Sequence, residues 1–231
     1  MRIAIIPARG GSKRIARKNV MDFCGQPLLS YPLAAARASG LFDMIHVSTE
    51  DSAIADAAAK LGFAPEFLRD PALADDQTPL IPVAKWVLAQ FALCGKHFDT
   101  VAILLATAPL VDAEDLQAAC ALFDRGARRV AVLAVTPFPV PIEWAMRLEK
   151  DGSMSAVQPE KLNLRSQDIE TRYYDSGTFV FYPPERVMAY PRVNTDFLAY
   201  RLPRDKAVDI DTPEDLTLAE ALFRGRAKRQ R

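Results

Sequence analysis

"RIAIIPARGGSKRIARKN", residues 2–19, sets the apolar run Ile3–Ile6 directly against a loop carrying Arg9, Lys13, Arg14, Arg17 and Lys18, with no acid among them. The run is short and continuous rather than alternating, and Pro7 and the Gly10-Gly11 pair cut it off. That is how a strand buried on both faces reads, as in a parallel sheet covered by helices on each side. The loop then falls at the carboxyl end of the first strand, where open α/β sheets hold their ligands.

Working outward, the same alternation continues. "LLSYPLAAARASG" has helical period and stops at Gly40, and "MIHVST" follows as a strand. "DSAIADAAAKLG" reads as a helix with Asp51 as N-cap and Gly62 beyond its end. "PLIPVAKWVLAQFALCG" is a further helix, "TVAILLATAP" a strand, "DAEDLQAACALFDRG" a helix whose Asp112 and Asp115 approximate a capping box, and "RVAVLAV" another strand. This predicts an α/β fold with a doubly wound, mostly parallel sheet. After about residue 137 the text turns proline-rich, and Asp151-Gly152 marks a hairpin turn. Residues 137–175 read as a small antiparallel flap inserted in a single domain spanning 1–231, with the aromatic strand "TFVFY" part of that section. "AVDIDTPEDLTLAEALF" predicts a strand ending in acids, then a helix with Thr212 at N-cap and Pro213 at its first position. The basic end "RGRAKRQR" reads as a solvated or disordered tail.

Composition bounds the function. Twenty-nine Lys and Arg balance twenty-nine Asp and Glu in 231 residues, so the five clustered cations are a local site, and broad nucleic-acid binding is not expected. Cys24, Cys94 and Cys120 have neither disulfide nor zinc spacing and read as incidental thiols of a reducing compartment. The opening apolar run breaks at Arg9 before a secretory core could form, and no apolar stretch is long enough to span a bilayer. A cytoplasmic protein with no membrane partner is the expectation.

Five cations on a glycine-softened loop suit a polyphosphate, with backbone N–H groups and a following helix N-terminus adding to the charge. Neither standard phosphate motif is present: Ser12 stands where G-x-G needs its second glycine, and "GGSKRI" lacks the Walker spacing. The plain alternative is a solvated basic turn. At the other end of the chain, Asp209 and Asp211 lie two apart, so a strand would put both carboxylates on one face, where two hard oxygens can ligate Mg²⁺. Alternatively, Asp211 only helps start the helix at Thr212. His46 and His97 read as structural.

With these residues in view, "IIPARGGSKRIARKNV" resembles the signature loop of the cytidylyltransferases that activate acidic sugars, among them the sialic, Kdo, legionaminic and pseudaminic acid enzymes. The similarity runs on, in order, through "FDMIHVSTEDSAIADAAAKLG", "FLRDPALADDQTP", "LLATAPLVDAEDL", "RSQDIE" and "VDIDTPEDL". It implies a Rossmann-like domain of the nucleotide-diphospho-sugar transferase type and a homodimer formed through the flap. Its substrates would be CTP and an acidic nine-carbon sugar. By the resemblance, Ala8, Arg9, Gly10, Gly11, Ser12 and Lys18 wrap the triphosphate, while Asn19, Arg69 and Thr78 help hold base and ribose. Arg9, Lys18, Asp209 and Asp211 would carry the transfer, with Mg²⁺ on the two aspartates.

Sugar identity turns on smaller signs. Arg165 could grip a carboxylate bidentately beside Gln167, or simply form a surface ion pair. Ala106, in "LATAP", stands where sialic acid enzymes carry a polar group near the nucleotide, and "RSQD" followed by Asp175-Ser176-Gly177 most resembles the pseudaminic acid branch. The expected reaction is CMP transfer to pseudaminic acid. The alternatives are the same reaction on sialic, legionaminic or Kdo-like acids, a GT-A glycosyltransferase using Asp209-Ile210-Asp211 as D-x-D, or a nucleotide sensor without turnover.

Overall fold

In the computed structural model, which describes residues 1–192 and 195–229, the opening apolar run forms strand β1 (Arg2–Pro7). Ile3, Ala4, Ile5 and Ile6 are fully buried. The chain continues through β2 (Asp22–Phe23), β3 (Gln26–Pro27), α1 (Ser30–Ser39), β4 (Met44–Ser48), α2 (Ser52–Lys60), α3 (Leu80–Leu93), β5 (Thr100–Leu104) and α4 (Ala113–Arg125). Then come β6 (Ala131–Pro137), β7 (Met146–Leu148), β8 (Met154–Ala156), β9 (Tyr173–Tyr182), α5 (Pro184–Met188), β10 (Phe197–Arg201) and α6 (Pro213–Arg229).

The main sheet has the order β10-β6-β9-β5-β1-β4. β1 runs parallel to β4 and to β5, and β10 parallel to β6. Side chains alternate between two apolar layers. Ala4, Ile6, Leu104 and Val132 pack with α1, α2 and α4, whereas Ile3, Ile5, Val101 and Ile103 pack with α3 and α5. Both faces are covered, which is why the strands read as unbroken apolar runs.

The caps follow the sequence. Asp51 accepts from Ala53 N at 2.8 Å and Ile54 N at 3.2 Å, and Gly40 closes α1 at φ 64°. Asp112 and Asp115 form a true capping box at the start of α4.

Three readings need correction. "TFVFY" is not part of a peripheral insertion: it is the end of β9, which lies inside the main sheet, antiparallel to both β5 and β6. Phe179 and Phe181 fill one layer and Val180 and Tyr182 the other, so the strand is buried on both faces. Second, residues 207–211 do not form a strand; they cross the loop after β5, joined to it by Ile210 N donating to Thr107 O at 3.1 Å. Val208 and Ile210 are held instead by a separate apolar cluster with Phe23, Leu28 and Leu110. Third, the basic tail continues α6 to Arg229, and its last two residues lie outside those described. Arg226 explains part of this, donating to Leu110 O at 2.7 Å and Asp112 Oδ2 at 3.0 Å.

Between β6 and β9 the chain leaves the sheet, and β7 and β8 pair as an antiparallel hairpin with Gly152 at φ 85° in its loop. β1, β4, β5 and β6 all end, and β9 begins, on one edge of the sheet, and the candidate site is built there.

Candidate active site

Ala8 leaves β1 with its N–H donating to Ser48 O at 2.9 Å, and the loop that follows has no regular structure before Lys18. The helix dipole expected behind this loop is not there. The chain passes through one 3-10 turn (Lys18–Val20) and the β2–β3 pair before α1 starts, so side chains supply the charge. Buried Asn19 fixes the loop: its Nδ2 donates to Arg9 O at 2.9 Å, and its own carbonyl accepts from Leu29 N at 3.0 Å. Gly10 is required, because a Cβ would collide with the Asp51 carboxylate; its N–H donates to Glu50 Oε1 at 2.7 Å.

The loop opens on a cleft of about 490 Å³. Arg9, Ser12, Lys18, Asn19, Arg69, Thr78, Ala106, Asp209 and Asp211 all line it, joined by Lys13 and Arg14. Ala8, Gly10 and Gly11 form the loop backbone without lining the cleft. Arg69 is buried, donating through Nε to Ser48 Oγ at 3.0 Å and through Nη2 to Ser48 O. Burial pushes its guanidinium below its ordinary pKa, and the Glu50 carboxylate pulls the other way. Thr78 is oriented by Asp75, whose Oδ1 accepts from Thr78 Oγ1 at 2.8 Å.

The two aspartates differ sharply. Asp209 is raised above the usual carboxylate range, chiefly by burial and then by Asp211, with Thr107 opposing, and its buried Oδ1 has no hydrogen-bond partner among the described residues. Gly177, at φ 63°, lies so close that a Cβ would sit 2.9 Å from Asp209 Oδ2. Ser176 and Gly177 belong to an irregular stretch of β9 whose bulge against β6 makes room for this approach. Asp211 is lowered: burial would raise it, but Lys18 and Arg14, each 2.9 Å away, outweigh that. The helix is started by Thr212, the expected N-cap, together with Asp215: Thr212 Oγ1 accepts from Asp215 N at 3.3 Å, and Asp215 Oδ2 accepts from Thr212 N at 2.8 Å and Asp211 N at 3.1 Å. The Asp211 side chain is therefore left to face the cations.

One acidic residue escaped the sequence reading. Asp76, in "DDQTP", pairs with Arg9 Nη1 at 2.5 Å and with Lys13. Its only signal was an unassigned pair of acids far from the loop. Arg165, Gln167 and Asp175 do not line the cleft. Arg165 is exposed and paired with Asp168 at 2.9 Å, and Asp175 accepts from Gly177 N at 2.9 Å. His46 packs between Phe67 and Phe91, tilted against the first ring and edge-on to the second, with Nδ1 2.9 Å from Glu66, in keeping with a structural role.

A basic loop and two acids at the carboxyl edge of an α/β sheet fit nucleotide chemistry, and comparison identifies which. The model of the family described as cytidylyltransferase matches residues 3–231. The chain belongs to the cytidylyltransferase family. Among its curated relatives is pseudaminic acid cytidylyltransferase of Campylobacter jejuni, 35% identical over 228 residues and covering 96% of each chain. CMP-N,N'-diacetyllegionaminic acid synthase of Legionella pneumophila is 29% identical, covering 96% of this chain and 95% of that one. The fold is similar to that of CMP:2-keto-3-deoxy-manno-octonic acid synthetase complexed with CTP, with a TM-score of 0.72 at 14% identity, covering 97% of this chain and 99% of that one. The expected doubly wound α/β class thus holds for this cytidylyltransferase.

Proposed function

We propose that this cytidylyltransferase transfers CMP from CTP to the anomeric hydroxyl of pseudaminic acid, releasing pyrophosphate. The observation that carries the reading is the meeting of Arg9, Ser12 and Lys18 with Asp209 and Asp211 in one cleft. The 35% identity to the Campylobacter jejuni enzyme favours pseudaminic acid over the sialic, legionaminic or Kdo-like alternatives.

In this reading Arg9, Ser12 and Lys18 hold the triphosphate, and Asn19, Arg69 and Thr78 position the cytidine beside Ala106. The sugar hydroxyl oxygen forms a bond to the α-phosphorus as its proton passes to solvent, and the bond from that phosphorus to the bridging oxygen of the β-phosphate breaks, its electron pair leaving with pyrophosphate. Charge grows on the departing pyrophosphate, where Arg9 and Lys18 stabilise it. The unpartnered Oδ1 of Asp209, beside the Asp211 carboxylate, is a donor set that fits a hard cation. Mg²⁺ held there would neutralise phosphate oxygens.

Arg165, Gln167 and Asp175 are assigned to the sugar. They lie outside the cleft, so their engagement requires the flap of this chain to close or that of a second copy to reach over. A homodimer through the flap is supported by its exposed Val140, Leu148, Met154 and Val157. No helix among the described residues is long and apolar enough to cross a membrane. Three free thiols fit a cytoplasmic setting.

The test is kcat/KM with CTP and Mg²⁺ across pseudaminic, legionaminic, sialic and Kdo acids. Preference for pseudaminic acid supports the proposal; preference for another acid keeps the reaction and overturns the substrate. Light scattering of wild type beside Leu148→Glu tests the dimer, which the charge should break.

A further inference from the structure

An acid from across the opening of the cleft already pairs with part of the cationic loop. Asp76 takes two of its cations: Arg9 Nη1 at 2.5 Å from one oxygen, and Lys13 Nζ on the other. All three residues line the cleft that the triphosphate would enter. Asp76 is not needed for its own turn. The neighbouring Asp75 holds that turn, accepting from Gln77 N at 2.9 Å, Thr78 N at 2.6 Å and Thr78 Oγ1 at 2.8 Å. Among the described residues, the Asp76 carboxylate has no partners other than the loop cations Arg9 and Lys13.

We propose that Asp76 is an internal counter-ion that speeds pyrophosphate release by recapturing Arg9 and Lys13. The idea rests on the cleft being the CTP site. Arg9 and Lys13 are respectively one-third and four-fifths exposed, so their pairs with Asp76 are weak ones that a multiply charged triphosphate displaces. After transfer the same cations hold pyrophosphate, which no longer has cytidine contacts to anchor it. Asp76, tethered within reach, then competes at high effective concentration for the cations that retain the product. Like charge between the carboxylate and the product acts in the same direction. The device is a positioning one: Asp76 acts through Arg9 and Lys13 and touches no reacting atom.

The experiment measures pyrophosphate and CTP binding by calorimetry, with steady-state kinetics, for wild type, Asp76→Asn and Asp76→Glu. Removing two exposed ion pairs should tighten pyrophosphate binding by about three- to tenfold. Asp76→Asn should lower both KM for CTP and kcat, with pyrophosphate becoming a stronger product inhibitor, and Asp76→Glu should restore part of the wild-type behaviour. A merely structural role would weaken ligand binding instead. Unchanged or weaker pyrophosphate binding in Asp76→Asn overturns the proposal. Wild type that binds neither CTP nor pyrophosphate overturns the reading of the cleft itself, and the proposal with it.

Discussion

Lys18 Nζ lies 2.9 Å from Asp211 Oδ1 and donates to the carbonyl of Ile210 at 2.7 Å, joining the first loop of the chain to a segment more than 190 residues away. The lysine is largely buried, so this is a fixed contact rather than a surface pair. It brings the cation assigned to the phosphates against one of the two acids assigned to the metal.

Lys18→Met should therefore lower kcat by about 100- to 1,000-fold, the usual cost of removing a group aimed at developing charge. KM for CTP should rise much less. Steady-state kinetics separate the two, and a raised KM with kcat unchanged would place Lys18 in binding common to the ground and transition states.

Asp209→Asn separates stability from activity. Asp209 has its folded pKa raised, mainly by burial, so its ionised form costs stability at neutral pH. The variant should be inactive, yet in the free state more stable by about 1 kcal/mol, or roughly 2–4 °C in Tm. That advantage is full above the folded pKa and shrinks as pH falls through it towards the unfolded carboxylate range near about 4. Thermal melts from pH 8 to 4 without divalent cation test the sign.

Gly177→Ala meets two obstacles at once, a φ of 63° and an approach of 2.9 Å to the Asp209 carboxylate. A loss of about 1–3 kcal/mol in stability is expected, with activity falling further because Asp209 is displaced. Denaturant melts and turnover measured on the same samples check both.

Acid sensitivity is predicted where α4, β10 and α6 meet. Lys206 pairs with Asp112 at 2.5 Å and Asp115 at 2.7 Å, Arg226 reaches Asp112 at 3.0 Å, and Tyr200 donates to Asp115 at 2.9 Å. Burial would raise Asp112, but hydrogen bonds from Lys206 and Asp115 lower it to about 2. Because the folded value is depressed, its stabilisation is present above the unfolded pKa near 4 and is lost as pH falls to about 2. Lys206→Met should cost about 1–3 kcal/mol at pH 7, a partly buried pair broken on one side, and should flatten the acid limb of the stability curve.

How far the sequence carried the structure can be traced to particular residues. Ile3–Ile6 announced a doubly buried strand because burial on both faces forces a continuous apolar run, and Asp51, Asp112 and Gly40 marked helix ends through local hydrogen bonds and backbone geometry. Local chemistry was legible. The direction of β9 was not: Phe179–Tyr182 is apolar on both faces whichever way it runs, and its place between β5 and β6 is a long-range choice. Asp209 and Asp211 were found through their spacing although the strand assumed beneath them is absent; both side chains still line the same cleft. Asp76 was missed because an ion pair across a cleft leaves no periodic trace. The basic tail became helix because Arg226 finds acceptors in Leu110 and Asp112 that composition does not reveal.

In the proposed reaction this cleft cleaves CTP between its α- and β-phosphates and leaves CMP on an acidic sugar. ³¹P NMR of the protein with CTP, Mg²⁺ and pseudaminic acid tests it directly. The three CTP resonances should give way to one phosphodiester signal and one of pyrophosphate, with no such change for Asp211→Ala. Intact CTP, or the appearance of CDP and inorganic phosphate in place of those two signals, would contradict it.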